Sequence, residues 1–398
     1  VVGDEAGTAI TTGDFNVAVG YLALTTEDAN GRNVAVGYNT LATLNAGADA
    51  YNVAVGMEAG RLMTTGIYNT LIGAQAGDAL TDADSNIAIG TSALGADTLG
   101  SKSTAVGQSA LTAQNFTTAT DSYNVAVGFY AGVAVTTGQR NVIVGGLAGD
   151  ALTDADDNVA IGTQALSSDT LGSRSVAIGK ESLTTQNFTT ATNSHNTAVG
   201  AFAGNVVTTG TRNTLIGALT GANLTDADYN IALGYVSLNA DTLGSRSTAI
   251  GYSALNAQNF TTATDTYNTA VGFYAGLSVT TGIGNTLLGG LAGDALTDAN
   301  YNVAVGKNAL STDTLGSFNT AVGINALETQ NFTTATSAYN TAVGSAAGAA
   351  VTTGVRNTLI GGLSGDALTT GSYNQAFGYG ALGTDTLGSR NTAIGQEA

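Results

Sequence analysis

The chain is 398 residues long and contains no Cys, no Trp and no Pro, while its 55 Gly recur at fixed intervals. Without Cys there is no disulfide framework and no thiolate metal site. A formal net charge of −18 with only 11 Lys and Arg removes the clustered basic footprint of a nucleic-acid binder, and no apolar run nears the roughly 20 residues of a membrane-spanning helix.

A phrase of the form Asn-Val-Ala-Val-Gly opens at Asn16 and returns in altered form at Asn33, Asn52, Asn69, Asn86, Ser103, Asn124 and onward to Asn391, giving 22 starts. Most starts lie 17 residues apart; the steps from Ser103, Ser175, Ser247 and Asn319 are 21, and the step from Asn33 is 19. Three steps of 17 and one of 21 make a higher-order repeat of 72. Such self-similarity marks a repeat architecture whose units bury apolar surface only by stacking. The expected fold is all-β: one continuous parallel β-solenoid over residues 1–398, a β-roll of 17–21-residue coils. Val1, Val2 and Gly3 occupy the third to fifth places of a unit and Ala398 an eighth, so both ends read as cut from a longer fibre.

Each unit is numbered from its Asn. Position 5 is Gly in all 22 units, as at Gly128, Gly200 and Gly272; position 3 is Ala in 17, and position 4 is always bulky and apolar. Position 2 is Val, Ile or Thr except at Gln375. Frequent Gly and Asn, β-branched residues and the lack of a sustained 3.6-residue stripe argue against helix. The reading is two short strands per unit, around positions 1 to 5 and 7 to 12, separated by a turn at the glycine. Apolar residues at positions 2, 3 and 4 predict a strand buried on both faces, the second covered by another copy of the chain.

Four unit types alternate. The first, as at Asn124, and the second, as at Asn141, have Gly at position 9 and an apolar position 12, as in Val135 and Leu152. The second also carries a large position 3: Leu71, Ile143, Leu215, Leu287 or Leu359. The third and fourth have Leu at position 9, as in Leu94 and Leu111, and the apolar residue moves to position 14, as in Leu171 and Phe188. This exchange predicts a core kept filled from coil to coil.

Two further columns run the length of the chain. Position 1 is Asn in 19 units, including Asn124, Asn196 and Asn268, and stacked amides of this kind can bond from coil to coil. The residue before it is aromatic ten times, as at Tyr123, and basic eight times, as at Arg140. A column mixing the two suits cation–π stacking; a carbohydrate-binding aromatic stripe is the functional alternative. The lone histidine, His195, is an irregular member of this column and reads as a surface substitution.

No nucleophile elbow, phosphate loop or carboxylate cluster interrupts the repeat, so no catalytic residue and no cofactor site is assigned, and the chain does not read as an enzyme. The acidic runs Asp78/Asp82/Asp84, Asp150/Asp154/Asp156 and Asp294/Asp298 are the calcium candidates, the first of them foremost, although their spacing fits neither an EF-hand nor a glycine-rich calcium roll; solvated turns are the plainer reading. The longest coils each carry Asn-Phe-Thr-Thr-Ala-Thr, at Asn115, Asn187, Asn259 and Asn331. These read as protruding loops that pin Phe inward, and are candidates for lateral contact.

The phrase Asn-Thr-Ala-Val-Gly-x-x-Ala, at Asn196 to Ala203 and Asn268 to Ala275, resembles the head repeats of YadA-type trimeric autotransporter adhesins and the related repeats of phage tail fibres. The resemblance implies a parallel, trimeric β-roll. The unit here is longer than the adhesin repeat, and no anchor, stalk or chaperone domain is visible in the sequence.

These readings converge on a structural shaft of an extracellular, cell-surface or virion fibre. It would assemble with copies of itself, three-fold by resemblance, and space an adhesive tip outside this segment that engages a host glycan or receptor. An ice-binding solenoid would need a flat Thr array on successive coils, and the Thr-Thr pairs change register between unit types.

Overall fold

The computed structural model describes all of residues 1–398 as two compact units, Val1–Asn196 and Thr197–Ala398, and neither contains a helix. The first unit holds ten three-residue strands, from Val17–Val19 to Val176–Ile178; the second holds twelve, from Thr197–Val199 to Thr392–Ile394. Every strand occupies positions 2 to 4 of its coil. Within the first unit each pairs in parallel with the next, as Val125, Ala126 and Val127 pair with Val142, Ile143 and Val144. The second unit repeats this without a slip, Thr269, Ala270 and Val271 pairing with Thr286, Leu287 and Leu288. The fold is thus a parallel β-solenoid.

The expectation of two strands per coil was wrong: there is one. Downstream of the glycine, single residues turn left-handed. In the coil from Asn124 they are Tyr130 at φ 56°, Gly132 at φ 59° and Arg140 at φ 57°. Left-handed residues at positions 7 and 9 break any extended run, and the chain rounds the corner in stacked turns. Only the widest coils add a second pairing, two residues long, as between Gly100–Ser101 and Thr120–Asp121. A non-glycine left-handed residue costs roughly 1–2 kcal/mol. At position 9 burial offsets this: Leu94, Leu111 and Leu166 are wholly buried in that conformation, each worth about 1.5–3 kcal/mol.

The alternation of Gly and Leu at position 9 has a direct cause. A Cβ on Gly132 would lie 2.9 Å from Ile143 Cδ1 and 3.1 Å from Leu111 Cδ2. On Gly149 it would lie 2.9 Å from Leu152 Cδ1 and 3.4 Å from Ile143 Cδ1. The large position-3 residue of the second unit type therefore fills the space beside two successive glycines, and Leu returns when position 3 is Ala again. Val135 and Leu152 are buried as expected, and Phe188 nearly so. Leu171 is only half-buried, because the inward place in its coil belongs to Asp169, which is fully buried.

Candidate functional site

The strand buries one face. Position 3 is inward and fully buried, as at Ala126, Ile143 and Ala270, whereas positions 2 and 4 point outward and stay half-exposed or exposed. The expectation of burial on both faces is corrected for the chain by itself: Ile231 and Leu233 are 46% and 42% exposed. Neither outward column contains a charged side chain in any of the 22 strands, although the chain holds 29 Asp and Glu. In the first unit position 2 is Val or Ile in eight of ten strands; in the second it is Thr in nine of twelve.

Behind the sheet, position 1 forms a buried hydrogen-bonded column. Asn124 Nδ2 donates to the Gly138 carbonyl of its own coil at 2.7 Å, closing it, and Asn124 Oδ1 accepts the Asn141 backbone N–H at 2.9 Å. The same two bonds hold Asn230, to the Gly244 carbonyl and from the Ser247 N–H, both at 2.9 Å. Amide-to-amide contact is secondary: Asn141 Nδ2 lies 3.4 Å from Asn124 Oδ1. An amide, with donor and acceptor on one short side chain, can serve both the coil and its neighbour.

Sequence reasoning missed the polar groups that replace the apolar position 12 in the third and fourth unit types. Asp169 Oδ1 accepts the Gly172 and Phe188 N–H groups at 3.0 and 3.1 Å, and its Oδ2 accepts Gln186 Nε2 at 2.5 Å. Gln186 Nε2 also donates to Ser175 Oγ at 2.8 Å, and its Oε1 accepts Asn196 Nδ2 at 2.8 Å. Ser175 Oγ and Ser194 Oγ lie 2.5 Å apart. Asp97, Asp241 and Asp313 make the matching bonds to Gln114, Gln258 and Gln330. In the last copy Ser gives way to the larger Asn319, and the opposing Ser or Thr to the smaller Ala338. Burial holds the Asp169 carboxyl above the usual range, against the bonds that favour its ionised form. The available sequence signal was Asp at position 12 followed 17 residues later by Gln, in four successive sets.

The column before each Asn stacks on the surface, every member left-handed. Arg32 lies between Phe15 and Tyr51, at 5.2 and 5.4 Å from their centroids, and Arg246 between Tyr229 and Tyr267, at 5.4 and 5.8 Å. Tyr301, Phe318 and Tyr339 stack at 5.3 and 5.1 Å. Lys102 lies over Tyr123 at 5.2 Å. Arg140 instead donates to Asp157 at 2.6 Å, and that bond holds the Asp157 carboxyl below its ordinary value. Ring faces inside a stack are covered by their neighbours, whereas Phe15 and Tyr267, each with a neighbour on one side only, stay 76% and 62% exposed. His195 is exposed in this column.

The acidic run does not converge on one point. Asp82 Oδ1 accepts Thr65 Oγ1 at 2.5 Å, Asp84 Oδ1 accepts the Ile67 N–H at 2.8 Å, and Asp78 lies 3.7 Å from Arg61. No three Asp, Glu or His side chains gather at a metal-binding distance anywhere in the chain. These carboxylates cap the turn of the preceding coil, and Asp154 and Asp226 repeat the bond to Thr137 and Thr209. Burial raises the pKa of Asp78, Asp150 and Asp294. In the wide coils Phe116, Phe188, Phe260 and Phe332 are buried, while Thr117 and Thr118 are exposed. Asn115, Asn187, Asn259 and Asn331 accept hydrogen bonds from Thr98, Thr170, Thr242 and Thr314 of the coil before. The surface carries no pocket, and no helix is long and apolar enough to cross a membrane.

No family model matches the chain, and no curated protein matches it.

Proposed function

We propose that the chain is the structural shaft of an extracellular or virion fibre, self-associating through its outward sheet face and holding an adhesive tip at a set distance. The observation that carries this reading is the outward face of a strongly acidic chain, uncharged throughout and branched-aliphatic in most strands of the first unit. An exposed apolar face that continues from strand to strand is the mark of an interaction surface. The Val- and Ile-rich columns of the first unit are its most apolar part. Three-fold assembly is the arrangement that the resemblance to trimeric adhesins and tail fibres supports. The tip and its glycan or receptor lie outside this segment, and the side chains of the inner columns are occupied in holding coils together.

A shaft delivers length, and length should change in whole sets of coils. Residues 124–195 form one 72-residue set. Deleting them joins Tyr123 to Asn196 with every column and the order of unit types preserved. Scattering should show a folded particle shorter by about 19 Å, four times the inter-strand spacing, with unchanged oligomeric state. Deleting only 124–131 shifts the pattern onto the wrong faces and should disrupt the junction. Unfolding of the 72-residue deletion would refute the shaft reading, as would a compact, unassociated particle.

A further inference from the structure

The threonines fall into two classes. Those of positions 13 and 14 are bonded within the chain: Thr81 Oγ1 donates to the Thr98 carbonyl, Thr225 Oγ1 to the Thr242 carbonyl, and Thr209 Oγ1 to Asp226. The pairs that made a uniform array look impossible from sequence are thus structural. The position-2 threonines differ. In the second unit nine of twelve strands begin with one, from Thr197 to Thr392. Their side chains are half-exposed or exposed, and none of these hydroxyls makes a hydrogen bond within the chain. They stand in strict register, as Thr197 against Thr214 and Thr341 against Thr358, one strand spacing apart. Ile231 and Val303 keep the branched shape at two of the three places where Thr is absent, Gln375 is the third, and a column of Val, Ile and Leu, with Phe377 once, runs beside them.

We propose that this column of the second unit, with the aliphatic column at position 4, is an ice-binding face. An ice surface is uncharged, periodic and rich in hydrogen-bonding groups that cannot move to meet a ligand. A complementary protein surface must therefore be flat, repeated, neutral and rigid. Parallel strands in register supply the repeat at about 4.8 Å. β-Branched side chains are stiff about χ1, so hydroxyl and methyl are held in place before binding. The hydroxyls can fix waters in an ordered row, as bridging waters are fixed elsewhere at protein surfaces. A second copy of the chain suits this stretch less well, because it would bury hydroxyls that have no partner in their own chain. The first unit, with Val or Ile in most of these places, carries no such burden. The inference narrows the shaft reading: it assigns the outward face of the second unit to ice and leaves self-association to the Val- and Ile-rich face of the first.

The test uses the full chain, with ice itself as the ligand. Thermal hysteresis is expected in solution, and fluorescently labelled protein is expected to enter a growing ice crystal. Thr269→Tyr combined with Thr286→Tyr, two adjacent outward positions, should lower the hysteresis at least tenfold without changing the melting curve. Val142→Tyr on the first unit should leave it intact. Absence of hysteresis and of incorporation overturns the proposal, as does equal activity in the double variant. A double variant that instead changes the oligomeric state by light scattering makes the column an interface between copies and also overturns it.

Discussion

Replacing Gly272 by Val is expected to unfold the coils on either side of it, at a cost on the order of 4 kcal/mol or more. Two effects add. The residue sits at φ 145°, a conformation that side chains rarely adopt, and a Cβ there would lie 2.4 Å from the Gly289 carbonyl oxygen and 2.6 Å from its carbon. Those are backbone atoms of the next coil, so no rotamer change relieves the clash. Gly289 repeats the approach against Gly306 at 2.6 Å, so a displaced coil cannot simply hand the strain onward. Gly276 is a milder case: it is left-handed, but its nearest obstacle is Leu287 Cδ1 at 2.8 Å, the end of a movable side chain. Amide hydrogen exchange should show Gly272→Val losing protection in Thr269–Val271 and Thr286–Leu288. Gly276→Ala should lose less. Equal protection in wild type and Gly272→Val would show that the glycine column is not a steric requirement.

Asp169→Ala is expected to cost about 5 kcal/mol. The substitution leaves the Gly172 N–H, the Phe188 N–H and Gln186 Nε2 without the acceptor they share, and each orphaned buried donor costs about 1–3 kcal/mol. The loss should also depend on pH. Burial raises the Asp169 pKa in the folded chain. Its linked contribution is therefore fully present below the unfolded carboxylate value of about 3.9 and declines as pH rises through the raised value. Chemical denaturation across that range should show the gap between wild type and Asp169→Ala narrowing toward neutral pH. A pH-independent gap would mean that the group titrates as an exposed carboxylate does.

Much of the solenoid was legible because its signals are repetitive. Asn at position 1, Gly at position 5 and Ala at position 3 recur together, and each has a single physical job: closing the coil, letting backbones approach, and facing the core. What was not legible has equally local causes. Val125, Ala126 and Val127 are all apolar, so alternation could not say which face is buried; only the stacking shows Ala126 inside. Tyr130 and Arg140 adopt left-handed backbone with no Gly or Asn to announce it, which hid the loss of the second strand. Asp169 lies in Ser-Ser-Asp-Thr-Leu-Gly, a run that reads as a solvated turn, and only the partner Gln186 from the next coil makes its burial tolerable. The outward threonines were passed over for the same reason: position 2 was assigned to a buried face.

Each three-residue strand faces inward at position 3 and outward at positions 2 and 4. Because the chain has no native Cys, single thiols report on this directly. Maleimide labelling of Thr269→Cys, Ala270→Cys and Val271→Cys, under native conditions and over a series of protein concentrations, reads all three places of one strand. The Ala270→Cys thiol, in the core, should stay unreactive at every concentration. The Thr269→Cys and Val271→Cys thiols should react readily at every concentration, because both point outward from the sheet. Labelling of Ala270→Cys as fast as its two neighbours would contradict this orientation.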